Sequence, residues 1–199
     1  MTVRVFVPAE TTAIALGADR VAAALQQTIA DSGRDIELVR NGSRGACWLE
    51  PLVEVEREGR RLAFGPLDEA AVPALLDAIS HGAEAALEQC LGDPAAIPWI
   101  AAQRRLTFSR IGIDDPLCLD HYLSRHGFDG LEHALHLSAA DIVDEITRSG
   151  LRGRGGAAFP AGTKWRTVLA TRAPQKYIVC NADEGDSGTF ADRLLMEAD

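Results

Sequence analysis

The order of alternating and helical stretches in the first 80 residues sets the tightest limit on the fold. Thr2 to Pro8 alternates and is rich in β-branched and aromatic side chains, which predicts a strand. Asp19 to Ala30 (DRVAAALQQTIA) places alanine, leucine and glutamine at helical spacing. Ser32-Gly33 ends that helix, and Asp35 to Arg40 (DIELVR) reads as a second strand. A right-handed crossover through the helix makes the two strands parallel. Leu52 to Glu56 and Arg61 to Phe64 then form a hairpin around Glu58-Gly59. Leu67 to Ile79 is helical, with Asp68 near its start. One parallel crossover followed by a hairpin and a helix allows few arrangements other than a small mixed sheet with helices laid on it.

That order, β-α-β-β-β-α, is the thioredoxin arrangement, and a module of roughly 80 residues can bury a modest core. Thioredoxin chemistry needs Cys-x-x-Cys at the start of the first long helix, where this chain has no cysteine. The stretch NGSRGACWLEPLVEVEREGRRLAFGPLDE resembles the thioredoxin-like ferredoxins, which hold a two-iron cluster. The resemblance puts paired cysteines where this chain has Asn41-Gly42-Ser43 and Gly45-Ala46-Cys47, and only Cys47 remains. Cys90 is expected at the end of a later helix. One or two thiolates cannot hold a cluster that needs four, so the module reads as a docking or structural unit that has kept the fold and lost the metal.

Composition closes off several classes. The 199 residues are 47% hydrophobic and 25% charged, which is ordinary globular usage rather than disorder or low complexity. Four cysteines in this length do not make a disulfide scaffold. The start MTVRVFVPAE lacks the charged head and apolar run of a secretory signal. Charges break every apolar stretch before the roughly 18 residues that a membrane span needs. A cytoplasmic protein with reduced thiols is the expectation. The net charge of −9 argues against a general nucleic-acid binder.

The charge is unevenly spread. Six basic residues (Arg152, Arg154, Lys164, Arg166, Arg172 and Lys176) lie between Leu151 and Lys176 with no acid among them, leaving 14 basic against 29 acidic side chains elsewhere. Such a segment reads as a solvated basic face or as a field that concentrates an anion.

Residues 81–116 read as a connector, with Asp93-Pro94 and Ile97-Pro98 as breakers. Leu106 to Ile113 reads as extended. Two short helices (DHYLSRHG and LEHALH) flank Gly127 to Gly130, and Ser138 caps a third helix over Ala139 to Ser149. Cys118, His121, His126, His133 and His136 include i, i+3 pairs, but the further cysteines or His-Glu-x-x-His of zinc sites are missing. They read as surface and interfacial residues, and no metal ligand is assigned.

The chemistry sits in two later runs. Gly150 to Trp165 (GLRGRGGAAFPAGTKW) precedes a helix expected from about Lys164 to Ala170. Gly153, Gly155 and Gly156 remove side chains where backbone must approach a ligand. Their amides and the following helix N-terminus suit a phosphate, and Lys164 can add a point charge. The run is neither Gly-x-Gly-x-x-Gly nor a Walker A loop, because the spacing and the lysine–threonine order differ. In the second run, KYIVCN (Lys176 to Asn181) reads as a buried strand with Cys180 in its core, leading into ADEGDSGTF. Asn181 can pair with the edge of a planar heterocycle. Asp183, Glu184 and Asp186 can accept from ribityl or ribose hydroxyls, although an acid cluster alone reads equally as a calcium-like site or as simple solvation.

Together the two runs resemble the flavin-bearing, NADH-oxidising subunit of respiratory complex I and its relatives. These include the diaphorase subunits of NAD-linked formate dehydrogenases and hydrogenases. The resemblance extends from about Arg105 to the last residue. A cluster-less thioredoxin-like module ahead of the flavin domain, with the acidic motif as Asp-Glu-Gly-Asp-Ser-Gly, is most similar to the beta subunit of the formate dehydrogenase branch. The fold class expected is α/β: a thioredoxin-like domain (1–80), a helical connector (81–116) and the start of a Rossmann-like flavin-binding domain (117–199).

The resemblance implies FMN and NAD as cofactors. Gly153, Arg154, Gly155 and Gly156 would line both, Phe159 would stack on the adenine, and Lys164 would contact the flavin phosphate. Asn181 and Asp183 would hold the flavin, Glu184 would lie beside the nicotinamide as the catalytic residue, and Asp186 would reach a ribose hydroxyl. Hydride would pass between nicotinamide and flavin, with the protein supplying alignment and electrostatics. Implied partners are an iron–sulfur small subunit and a molybdenum-containing catalytic subunit, with a four-iron cluster ligated beyond Asp199. The alternatives are the same unit in an NAD-reducing hydrogenase or complex I, and a non-catalytic docking module. The final run ADRLLMEAD is expected to be an apolar helix of a longer subunit.

Overall fold

The computed structural model describes residues 2–199. In chain order the elements are β1 (Val3–Pro8), α1 (Thr11–Ala15), α2 (Ala18–Ser32), β2 (Ile36–Asn41), β3 (Val53–Arg57), β4 (Arg60–Phe64), α3 (Val72–His81), β5 (Cys90–Gly92), α4 (Pro98–Ala101), α5 (Leu119–Ser124), α6 (Asp129–Leu135), α7 (Ala139–Ser149), α8 (Ala161–Ala170) and α9 (Ala191–Ala198). The chain divides into two compact units: residues up to His121 together with Ala182–Asp199, and Tyr122–Asn181. Among the described residues no helix is long and apolar enough to cross a membrane.

The first unit is built on a five-stranded sheet in the order β2-β1-β3-β4-β5. β1 and β2 are parallel, with Val5 opposite Leu38. β1 and β3 are antiparallel, as are β3 and β4, with Val55 opposite both Val5 and Leu62. This is the thioredoxin-like α/β arrangement expected from the element order. Alternation decides the faces. Val3, Val5, Val7, Val53, Val55 and Phe64 turn to one side and meet Val21 and Leu25 of α2 and Leu75, Leu76 and Ile79 of α3 in a continuous core. Gly33 closes α2 in the left-handed conformation at φ +61°, as its position after the last helical turn requires. Asp68 accepts the Ala71 N–H and opens the 3₁₀ turn that leads into α3.

The opposite face is ionic. Phe6, Glu54, Glu56 and Arg61 share it by register. Glu54 is only 1% exposed and is held by Arg44 (Nη2–Oε2 2.9 Å) and Arg61 (Nη1–Oε2 3.2 Å). The Arg61 guanidinium also lies 3.8 Å from the centroid of the buried Phe6 ring. For Arg44, burial works to lower the pKa, but the hydrogen bond and charge of Glu54 outweigh it and raise the pKa.

This network accounts for one departure from the sequence expectation. Leu106 to Ile113 is a run of turns, not an extended segment. The carbonyl of Gly112 accepts from Asn41, Arg44 and Arg61 at 3.1, 3.2 and 3.0 Å, and that of Ile113 from Arg61 at 3.1 Å. Cationic and amide side chains, rather than a neighbouring strand, satisfy this backbone, and Ile111 is buried beneath it. Cys90 is also placed differently: it lies in β5, opposite Phe64, and not at a helix end.

In the second unit, Ser138 caps α7 by accepting the Asp141 N–H at 3.2 Å. The helices α7 and α8 pack closely at Gly162, where a Cβ would come within 2.3 Å of Thr147 Oγ1. Arg166 bridges to Asp144 at 2.8 Å. Pro160 sets the start of α8 at Ala161, three residues before the expected Lys164. The expected buried strand Lys176 to Asn181 is corrected outright. The segment has no strand pairing, Tyr177, Ile178 and Val179 are exposed, and Cys180 is exposed rather than in a core. A strand needs a neighbour for its N–H and C=O groups, and the described residues supply none here.

Candidate functional site

The glycine-rich run forms a loop closed at its base. Arg152 and Pro160 make an antiparallel bridge, the Gly153 N–H donates to Phe159 O at 2.9 Å, and the Ala161 N–H donates to Leu151 O at 2.9 Å. Arg152 Nε donates to Ala158 O at 2.7 Å, and Arg154 Nη1 to Arg152 O at 3.2 Å. The tip therefore holds its shape through its own backbone. Gly156 turns at φ +89°, the left-handed region where glycine is unpenalised. A Cβ built on Gly155 or Gly156 would meet nothing within 4 Å, so both backbones can be approached closely.

Phe159 and Lys164 are brought together beside this loop, with Lys164 Nζ 5.6 Å from the ring centroid. A cation over a half-exposed aromatic ring, with open glycine amides nearby, suits a ligand that carries both an anion and a planar ring. Lys164 is in the first turns of α8, a ten-residue helix whose N-terminal dipole adds positive potential. Asn181 belongs to the same unit and is exposed. The open glycine backbones, Lys164 and Phe159 therefore fit a phosphorylated heterocycle such as FMN.

Asp183, Glu184 and Asp186 belong to the first unit. Asp186 O accepts the Thr189 N–H at 3.1 Å, which folds the segment into a turn. Glu184 adopts φ +45°, uncommon outside glycine, and its carboxylate accepts from the Asp192 and Arg193 N–H groups at 2.7 and 2.9 Å. It thereby caps α9, a contact that spacing alone does not reveal because seven residues intervene.

Sequence reasoning also missed what receives α9. Glu197 accepts the backbone N–H and hydroxyl of Thr11 at 2.8 and 2.7 Å. Burial raises the Glu197 pKa, but the Thr11 hydrogen bonds and Arg193 hold it below the usual carboxylate range. Arg193 donates to Thr12 Oγ1 at 2.9 Å and lies 3.5 Å from the buried carboxylate of Glu10. An Arg-x-x-x-Glu pair at i, i+4 on α9 was the available signal.

Another carboxylate, Glu50, is buried on the same module. Desolvation pushes its pKa up to about 7, against the opposing hydrogen bonds from Ser43 and Leu52, and Glu10 and Glu54 add to the rise. Among the described residues, no group of three or more His, Cys, Asp or Glu side chains is arranged to hold a metal ion.

Residues 146–199 match the profile of the Nuo51 FMN-binding domain, a stretch that includes both the loop and the acidic turn. The relatives are components of nicotinamide-nucleotide oxidoreductases. The chain is 48% identical over 97 residues to HndC, a component of the NADP-reducing hydrogenase of Solidesulfovibrio fructosivorans, covering 49% of this chain and 20% of that protein. It is 42% identical over 106 residues to the F component of the NADH-quinone oxidoreductase of Aquifex aeolicus, covering 52% and 25%. The chain thus spans between a fifth and a quarter of the length of these two relatives.

Among solved structures, the wild-type thioredoxin-like [2Fe-2S] ferredoxin of Aquifex aeolicus is matched over 46% of this chain and 98% of that one, at 17% identity and a TM-score of 0.40. An air-oxidised NAD+-reducing [NiFe]-hydrogenase is matched over 98% of this chain and 32% of that one, at 25% identity and a TM-score of 0.38.

Proposed function

We propose that the chain is part of the FMN- and NAD-binding subunit of an oxidoreductase, working as a diaphorase between a nicotinamide nucleotide and iron–sulfur carriers. The observation that carries this reading is the match of residues 146–199 to an FMN-binding domain over a loop with open glycine backbones, a cation and an aromatic ring. Gly153, Arg154, Gly155 and Gly156 line the cofactors, and Lys164 neutralises the flavin phosphate. Phe159 offers its exposed face to the adenine of NAD. Asn181 and Asp183 hold the flavin, Glu184 sits beside the nicotinamide, and Asp186 reaches a ribose hydroxyl. Bound FMN supplies the exchange between two-electron and one-electron chemistry, which no amino-acid side chain provides. The residues of this chain bind, align and screen charge.

The domain reading accompanies this: a thioredoxin-like domain without a cluster over residues 1–80, a connector over 81–116 that lends its β5 to the sheet, and the flavin domain from 117. In the whole subunit proposed here, a four-iron cluster would take electrons onward. The finer proposal is the formate dehydrogenase branch, with an iron–sulfur small subunit and a molybdenum-containing catalytic subunit in the cytoplasm. The cluster-less module and the Asp-Glu-Gly-Asp-Ser-Gly form of the acidic turn support it. A second reading, the same unit in an NAD-reducing hydrogenase, is favoured by the 48% identity over 66 residues to the HoxS alpha subunit of Cupriavidus necator.

The test is purification of the complex from its source, with flavin released by heat and metals quantified. Stoichiometric FMN is expected, with a co-purifying large subunit containing molybdenum. Nickel in its place would select the hydrogenase reading, and no flavin would defeat both. Lys164→Ala should weaken FMN binding by about tenfold, the scale of one charge-assisted phosphate contact.

A further inference from the structure

Two features hold α9. One is the Glu184 cap. The other is a seat on the thioredoxin-like module, made of the α1 N-terminus and the loop after β2. Glu197 takes the Thr11 N–H and hydroxyl, and Arg193 reaches Thr12 Oγ1 and the buried Glu10. Gly42 lies so close that a Cβ there would be 2.3 Å from Ala198 O and 2.6 Å from its Cα. Gly45 at φ +77° faces Leu194, with Cδ2 3.2 Å from the position of a Cβ. The Gly42 contact is with backbone, so it cannot be relieved by a side-chain rotation.

The seat is linked to the acidic turn through α9. Glu184 bonds to the N–H groups of Asp192 and Arg193, and the side chain of that same Arg193 binds Thr12. We propose that the thioredoxin-like module is a positioning clamp for the turn Asp183–Asp186, with Gly42, Arg193 and Glu197 as positioning residues. The module thereby keeps a function in nucleotide binding without any redox group of its own. The claim rests on the reading of that turn as part of the nucleotide site.

The experiment uses the protein as its gene encodes it, loaded with FMN, and the variants Gly42→Ala, Glu197→Ala and Glu197→Gln. Gly42 is not in the left-handed region, so alanine there tests the contact and not backbone strain. KM for NAD is expected to rise about fivefold in Gly42→Ala and Glu197→Ala, with kcat and bound FMN within about twofold of wild type. Amide exchange should quicken over residues 184–198 and not in β1 or β3. Glu197→Gln keeps an acceptor for Thr11 and should recover part of the effect. Unchanged KM in both alanine variants would overturn the clamp, even if exchange in α9 quickened. A wild-type protein that binds no FMN would instead overturn the functional reading and the clamp with it, and the two failures are therefore distinct.

Discussion

The Glu184 carboxylate accepts the Asp192 N–H at 2.7 Å, so the residue expected beside the nicotinamide is also the cap of α9. The proposed nicotinamide role is compatible with the cap, since a carboxylate has more lone pairs than the two amides occupy. Glu184→Ala should loosen α9 by about 1 kcal/mol, the usual scale of a lost cap. Amide exchange at residues 191–198 would report it, and unchanged protection would rule out the cap.

Glu54 is buried between Arg44 and Arg61 on the ionic face of the sheet. Glu54→Ala leaves Arg44 confined without its counter-charge and Arg61 with Glu56 as its remaining one, at 2.9 Å. Breaking one partner of a buried ionic set costs about 3–5 kcal/mol. Urea unfolding of the chain should show a fall of that order, and a change under about 1 kcal/mol would mean that Glu56 and the Gly112 and Ile113 carbonyls suffice for the two arginines.

Glu50 ties stability to pH. Its folded-state pKa of about 7 lies above the ordinary value of 4.5, so the folded chain holds the proton more tightly. The associated stability is fully present below about pH 4.5, is lost as pH rises towards 7, and is level above that. The loss is about 3 kcal/mol. Glu50→Gln mimics the protonated acid, so it should raise Tm at pH 8 and leave it nearly unchanged at pH 4.5. Equal shifts at both pH values would contradict the assignment.

The α7–α8 contact depends on Gly162. A Cβ there would press on the Thr147 side chain and its Cα, so Gly162→Ala should destabilise the helix pair by about 1–3 kcal/mol. Circular dichroism on heating would detect it as an earlier loss of helix.

How much of this was legible from sequence varies by element for physical reasons. β1, α2, β2 and the hairpin around Glu58-Gly59 were readable because one face of each is apolar at the right period. Ser138 marked the start of α7 by its chemistry. KYIVCN carries the composition of a strand, but composition does not provide the pairing, and the described residues leave it unpaired. The turns over Leu106 to Ile113 were hidden because the partners of Gly112, namely Asn41, Arg44 and Arg61, are at least 51 positions away in the chain. Of the candidate site, Phe159 and Lys164 proved adjacent, as a loop followed by a helix allows. The anchoring of the acidic turn was invisible, since it depends on Thr11, Thr12 and Gly42 at the other end of the sequence.

The most direct test of the central claim is an anaerobic titration of the flavin-loaded gene product with NADH, followed by the flavin's visible absorbance. Bleaching should be complete at one NADH per flavin, allowing for any electrons taken by bound iron–sulfur clusters, with a weakened response in Glu184→Ala while FMN stays bound. A protein that retains FMN but is not bleached by NADH would contradict the claim.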